Sequence, residues 1–180
     1  GFHGMVKMTF LNLVTALSGG GVGGGSLTYA NTLPVPKEDF FKTGSWAHLN
    51  SWQEVLAPFY NTAYKMLGAA VNPMLHDADL LIKDIAQEMG KEKDFKAAKV
   101  AVFFGEPGKT VKDPYFNGKG PDRKGCIHCG ACMTGCRYNA KNTLDKNYLY
   151  LAQQLGAEII AEKEVFKVAP LNENDSSQGY

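Results

Sequence analysis

The clearest pattern in the chain is a helical spacing of apolar residues in its middle third. Apolar side chains recur about every 3.6 residues after Ser51 and again between Asp77 and Met89, which predicts two amphipathic helices. Ser51 and Glu54 have the spacing of a capping box that opens the first helix, and Gly68 is positioned to end it near Leu67. Gly90 is expected to end the second.

Two further apolar stretches lack that spacing. Residues 9–16 are apolar and rich in β-branched side chains, so we expect a buried element there. The run AAKVAVFFG at 97–105 is continuously apolar and aromatic, which predicts a buried strand. A long loop rich in glycine, proline and charge follows over 106–125, and a loop of that length is usually functional or mobile.

The last part of the chain is expected to hold a helix and two short strands. Asn142 or Thr143 is expected to cap the helix and Gly156 to end it. The segments Ala157–Ala161 and Glu164–Ala169 have strand-like composition. Together the patterns predict an α/β (α+β) fold.

Composition narrows the classes of partner. The 180 residues carry a net charge of +1, so charge gives no reason to expect a nucleic acid or an anionic membrane as a partner. No apolar run approaches the roughly 18 residues of a membrane span, so no transmembrane segment is expected. The chain begins at Gly1 and ends in a polar stretch, from which we expect an internal piece of a longer protein.

All four cysteines fall within eleven residues, at Cys126, Cys129, Cys132 and Cys136. Their spacing, C-x2-C-x2-C-x3-C, is the run that ligates a [4Fe–4S] cluster in bacterial ferredoxins, although Arg137 stands where that run has proline. An iron–sulfur cluster is therefore predicted, with zinc and unmetallated thiols as alternatives. Clustered thiols without a secretory signal also predict a reducing, cytoplasmic location. His128, inside the run, is expected at the surface.

A second candidate site is the glycine-rich stretch between Ser18 and Ser26, which contains six glycines. Backbone N–H groups in such a turn can cradle a phosphate, and the absence of side chains lets a ligand approach closely. The alternative is a flexible hinge, because the stretch is neither a G-x-G-x-x-G fingerprint nor a P-loop.

The segments GVGGGSLTYANTL and AKNTLDKNYLYLAQQLGAEI resemble the glucose–methanol–choline family of FAD oxidoreductases. Together with FFGEPG, DPYFNGKGP and the cysteine run, they resemble most its bacterial, cholesterol oxidase-like branch. The resemblance implies part of a FAD-binding, Rossmann-like domain that lacks the N-terminal G-x-G-x-x-G unit. It divides the chain into a FAD-contacting segment at 1–44, a helical substrate-side insertion at 45–96, and the remainder of the FAD-binding domain at 97–180.

The resemblance also implies which residues meet the flavin cofactor. They are Gly23, Gly24, Gly25, Ser26, Tyr29, Ala30, Asn31 and Val165. It implies oxidation of a small-molecule alcohol, with sterols among the candidates, by hydride transfer to FAD. The catalytic base would lie outside this chain, so no catalytic residue is assigned, and the chain alone is expected to be inactive. The alternative is a ferredoxin-like iron–sulfur module that transfers electrons.

Overall fold

A computed structural model describes residue 4, residues 6–173 and residues 175–180, and it combines short helices with small sheets. The predicted mixed class of helices and strands is therefore confirmed. The helices are α1 (Glu38–Lys42), α2 (Trp52–Met66), α3 (Asp77–Glu88) and α4 (Tyr148–Gln154). The strands are β1 (Val6–Phe10), β2 (Thr15–Gly19), β3 (Ala70–Val71), β4 (Lys99–Val100), β5 (Thr110–Val111) and β6 (Arg123–Lys124).

The strands pair into three antiparallel two-stranded sheets within the described ranges. In β1–β2, Val6 lies opposite Gly19, and the register continues to the end of the hairpin. β3 pairs with β4 through Ala70 and Val100. β5 pairs with β6, which closes the two ends of the long loop against each other.

The small core is centred on the predicted strand at 97–105. Val100, Ala101 and Val102 are buried and pack with Ala140, which confirms the predicted burial. Regular strand structure is limited to Lys99–Val100, because the neighbouring segments pair with this run mainly through isolated bridges. The backbone of Ala101 joins two distant segments. Its N–H donates to Asn31 O at 2.8 Å, and its carbonyl accepts the N–H of Asn142 at 2.8 Å.

The two amphipathic helices are confirmed. α2 begins after Ser51 and ends before Gly68, and α3 begins at Asp77 and ends just before Met89 and Gly90. The predicted capping hydrogen bond of Ser51 is wrong, because its side chain makes no capping hydrogen bond.

The prediction of a buried element at residues 9–16 is wrong. These residues form the paired ends of β1 and β2 and the exposed turn between them, where Leu13 is 97% exposed. The apolar composition did not reveal that the two halves of the segment pair with each other. Such a hairpin satisfies its backbone groups without entering the core.

Two predictions about the last part of the chain are also wrong. The side chain of Asn147, rather than that of Asn142 or Thr143, caps α4, and it accepts the N–H of Tyr148 at 2.6 Å. A 3₁₀ turn over Leu144–Lys146 precedes it. The predicted strands within 157–169 are irregular, because no neighbouring strand in the described chain supplies hydrogen-bond partners. Among the described residues, no helix has the length and apolar character needed to cross a membrane.

Candidate functional site

The glycine-rich stretch forms a tight turn that most side chains could not adopt. A 3₁₀ turn over Gly24–Leu27 follows Gly23, and the φ angles of Gly23 and Gly24 are 106° and 53°. Positive φ is costly for residues with a Cβ, which explains why glycine occupies both positions. The hydroxyl of Ser26 donates to Gly23 O at 2.6 Å and fixes the turn from within.

One side of this turn is open. A Cβ placed on Gly24 or Gly25 would meet no atom within 4 Å. Beside the turn lies a cavity of about 520 Å³, which Gly25, Thr28 and Tyr29 line together with β2 residues and Met133. Gly24 and Gly25 therefore have an unobstructed face, whereas Gly23 is buried, and the cavity beside Gly25 is large enough for part of a cofactor.

The other side of the turn is fastened to the segment that precedes α4. Ser26 Oγ accepts the N–H of Leu144 at 2.9 Å, and the hydroxyl of Tyr29 donates to Asn142 O at 2.7 Å. The ammonium of Lys141 donates to Leu27 O at 3.0 Å. These contacts join residues more than a hundred positions apart, so the structure brings together the two segments on which the family resemblance rests.

The remaining predicted flavin-contacting residues divide into two groups. Asn31 is buried, adopts a φ of 59°, and binds the core strand through its carbonyl. Ala30 is exposed beside it. Val165 lies in the irregular segment after α4 with 76% of its surface exposed, and no hydrogen bond in the described chain joins it to the glycine turn.

Sequence analysis missed Arg123, which supports the segment before α4 and is only 1% exposed. Its guanidinium donates to Asn139 O at 3.0 Å, to Lys141 O at 2.9 Å, and to the side-chain oxygen of Asn142. Burial lowers the pKa of Arg123. The residue sits in a charged, glycine-rich loop, and a sequence of that kind normally indicates a solvated side chain.

Lys141 was also missed, although it connects the glycine turn with the cysteine run. It is 1% exposed, and its ammonium donates to Cys132 O at 2.8 Å as well as to Leu27 O. The same ammonium lies 4.6 Å from the centre of the Tyr29 ring, a cation–π contact. Burial lowers the pKa of Lys141. Burial, together with the charge of Cys132, raises the pKa of Tyr29 to about 12.

The four cysteines line one small cavity of about 20 Å³ against the core. Cys129 is exposed at its edge, and the other three are half-buried. Burial raises the pKa values of Cys126 and Cys132. Burial acts in the same direction on Cys136, but hydrogen bonds from nearby backbone N–H groups outweigh it and hold the pKa of that thiol below its usual value.

His128 does not lie freely at the surface as predicted. It is half-buried, and its ring stacks on Phe104 with 5.6 Å between the ring centres. The backbone N–H of His128 donates to Cys126 Sγ at 3.3 Å. In the part of the chain that the structure describes, no three His, Cys, Asp or Glu side chains are grouped so that they could hold a single metal ion. The cysteines therefore surround a cavity without forming a single-ion site.

Comparison with known proteins identifies relatives over most of the chain. Proteins named cholesterol oxidase from two strains of Mycobacterium tuberculosis are 52% identical to it over 165 residues, which is 89% of this chain. One of the same name from Acinetobacter baumannii is 48% identical over 182 positions, which is 98% of this chain. The chain is a homologue of these oxidases.

The homology covers only part of the relatives. The chain spans 28% of the length of the mycobacterial proteins and 33% of the Acinetobacter protein. No protein-family model matches the chain. No solved structure matches it either.

Proposed function

We propose that this chain is an internal part of a FAD-dependent oxidoreductase of the glucose–methanol–choline family that oxidises an alcohol, with a sterol as the substrate class. The observation that carries the proposal is the homology to cholesterol oxidases, which extends over 89% to 98% of the chain. The open glycine turn supports the cofactor part of the proposal independently, because it offers unhindered backbone beside a cavity.

The chain's own residues fit a bound flavin at the glycine turn. The turn from Gly23 to Ser26 would lie along the cofactor, with Tyr29, Ala30 and Asn31 beside it, and Val165 is retained as the proposed contact to the adenine. When bound, FAD supplies the chemistry by accepting a hydride from the alcohol carbon. The glycines let the backbone approach, because a Cβ at Gly24 or Gly25 would project into the open space.

The role of the neighbouring side chains is to hold the turn in place. Tyr29 stays protonated at neutral pH, since its pKa is about 12, so its hydroxyl remains a donor to Asn142 O. Ser26 and Lys141 add two further connections to the segment before α4. Rigid support of this kind keeps a cofactor-binding backbone in one geometry. The base that takes the alcohol proton is proposed to lie elsewhere in the protein.

The helical insertion at 45–96 is proposed to cover the substrate. A cavity of about 540 Å³ lies between α3 and the segment 95–98, and its walls are largely apolar. The wall residues include Leu75, Ile82, Ile85, Met89 and Phe95. An apolar wall suits a sterol ring system better than a sugar, because most of the surface that a sterol buries is hydrocarbon.

The alternative, a ferredoxin-like module that transfers electrons, rests only on the cysteine spacing. The homology to oxidases extends over both sides of the cysteine run, which favours the flavoprotein. The full-length polypeptide, purified without oxygen, separates the two functions. Bound FAD and turnover of cholesterol to its ketone support the oxidase, whereas iron and sulfide without flavin support the electron-transfer module.

Gly24→Val in the full-length polypeptide tests the cofactor site. Gly24 has a φ of 53° and an open outer face, so a β-branched residue would be strained and would occupy the space proposed for the flavin. We expect at least a tenfold loss of bound FAD, measured by absorbance per polypeptide. Gly20→Val is the matched control, because Gly20 has open space and no positive φ. Normal flavin content in Gly24→Val would contradict the assigned role.

A further inference from the structure

We propose that the four cysteines bind a [4Fe–4S] cluster and that the buried ammonium of Lys141 balances its negative charge. The cluster would be a second cofactor, separate from the flavin. The first observation is that the structure places all four cysteines around one cavity. Their sequence spacing matches that of bacterial cluster ligands, and the wall opposite them is the apolar core at Val102 and Ala140.

The shape of the site favours a cluster over a single ion. A tetrahedral ion needs all four sulfurs at one bond length from one point. In a cubane cluster each thiolate binds a different iron, so the ligands surround a volume, as the cysteines do here. The present cavity of about 20 Å³ is smaller than a cluster. Binding of a cluster would therefore require the exposed outer side of the loop, residues 129–131, to shift outward.

The buried ammonium of Lys141 would be stabilised by an anion in the cavity that the cysteines line. Lys141 lines the cavity and is 1% exposed, and among the described residues its ammonium donates to the neutral carbonyls of Leu27 and Cys132. No salt bridge in the described chain pairs Lys141 with a carboxylate. A buried cation without a counter-charge is costly. Four thiolates on a cluster would supply a negative charge beside it.

A backbone hydrogen bond also reaches one of the proposed ligand sulfurs. The backbone N–H of His128 donates to Cys126 Sγ at 3.3 Å. Donors around the sulfurs are a means by which proteins stabilise and tune iron–sulfur clusters.

Lys141 would also connect the cluster with the glycine turn. Its ammonium reaches Leu27 O and the ring of Tyr29 on one side and Cys132 O on the other. Assembly of the cluster would therefore fix Lys141 and, through it, one anchor of the turn. This connection rests on the proposed flavin site, whereas the cluster itself does not.

The cluster is tested in the full-length polypeptide, purified and reconstituted without oxygen using equal amounts of ferrous and ferric iron together with sulfide. Iron, acid-labile sulfide, zinc and flavin are measured separately. We expect about four irons and four sulfides per polypeptide. Cys129→Ser should lose more than half of the iron and sulfide, and because Cys129 is exposed this variant should still fold. Thr134→Ala, in the same loop and exposed, should retain wild-type content.

The counter-charge is tested by Lys141→Met, with Lys109→Met as its control. Lys109 is an exposed lysine of the neighbouring loop and is paired with Glu106. We expect Lys141→Met to lower iron content several-fold and Lys109→Met to leave it unchanged. Wild-type iron content in Lys141→Met would overturn the charge-balancing role.

Zinc without sulfide, or four free thiols and no bound metal after reconstitution, would overturn the cluster. The two proposals fail separately, because each cofactor has its own assay. Bound flavin without iron would contradict the cluster and support the oxidase. Bound iron and sulfide without flavin would support the cluster and contradict the oxidase.

Discussion

The centre of this molecule and its outer helices are opposite in character. The largest fully buried side chains in the described chain are polar, namely Arg123, Lys141 and Asn147. α3 in contrast exposes apolar side chains, with Leu81 at 61% and Ile82 at 58%. The centre is held by hydrogen bonds from side chains to backbone carbonyls of distant segments. Within this chain, the most deeply buried large side chains are therefore ones that make hydrogen bonds.

The largest expected loss of unfolding free energy comes from replacing Arg123 in the polar centre. Arg123→Met removes a guanidinium that serves three acceptors, and the buried carbonyls of Asn139 and Lys141 would lose that donor. Each buried carbonyl that is left without its donor costs about 1–3 kcal/mol of the free energy of unfolding, and Arg123→Met leaves two of them. Chemical denaturation of the full-length polypeptide measures this loss.

Lys119→Met, at an exposed position of the same loop, is the control and should change the free energy of unfolding by less than about 0.5 kcal/mol. An equally small change in unfolding free energy for Arg123→Met would show that the polar centre does not stabilise the fold. The centre and the outer helices would then not differ in their contribution to stability.

The outer helices could be predicted from the sequence, whereas the polar centre could not. α2 and α3 were predicted to within a residue or two at each end, because periodicity and the glycines at positions 68 and 90 are local signals. The glycine turn was also recognisable, since its six glycines are adjacent in sequence. The attachment of the turn to Leu144 could not be predicted, because the hydrogen bond from the backbone N–H of Leu144 to Ser26 Oγ joins residues 118 positions apart.

Burial of charged residues was the second thing that no local signal revealed. Arg123 and Lys141 lie among polar neighbours, and nothing in their immediate sequence distinguishes them from solvated side chains. Their acceptors become apparent only when the core strand at Ala101 brings Asn31 and Asn142 to its two sides. The predicted strands after Gly156 were wrong because a strand-like composition is a local signal, and it does not show whether a partner strand is present.

A smaller effect is expected at Gly125, where the chain passes close to another backbone segment just before the first cysteine. A Cβ there would lie 2.1 Å from Glu106 O and 2.7 Å from Gly105 O. Gly125→Ala should therefore lower the free energy of unfolding by about 1–3 kcal/mol, because one of the two segments must shift. Gly20→Ala should have almost no effect, since a Cβ at Gly20 meets no atom within 4 Å. Equal melting temperatures for the two variants would contradict this close approach.

The smallest expected effect lies in the long loop, at Asp113, and it depends on pH. The carboxylate of Asp113 accepts the backbone N–H groups of Tyr115, Phe116, Gly118 and Gly120 at 2.9 Å each. Burial opposes ionisation, but these four donors outweigh it and hold the pKa of Asp113 below its usual value. A neutral amide cannot accept at both of its atoms, so Asp113→Asn should cost about 1–2 kcal/mol at neutral pH.

The sign of the pH dependence follows from that lowered pKa. The carboxylate contributes its full stabilisation above the pKa of an unfolded aspartate, about 3.9, and loses it as the pH falls through the lower folded value. The difference in unfolding free energy between wild type and Asp113→Asn should therefore be constant near neutrality and shrink below about pH 4. Asp84→Asn, on the exposed face of α3, is the control and should change the free energy of unfolding at neutral pH by less than about 0.5 kcal/mol. A difference that persists unchanged at low pH would mean that the hydrogen bonds to Asp113 do not depend on its charge, and the loop would then be held by geometry alone.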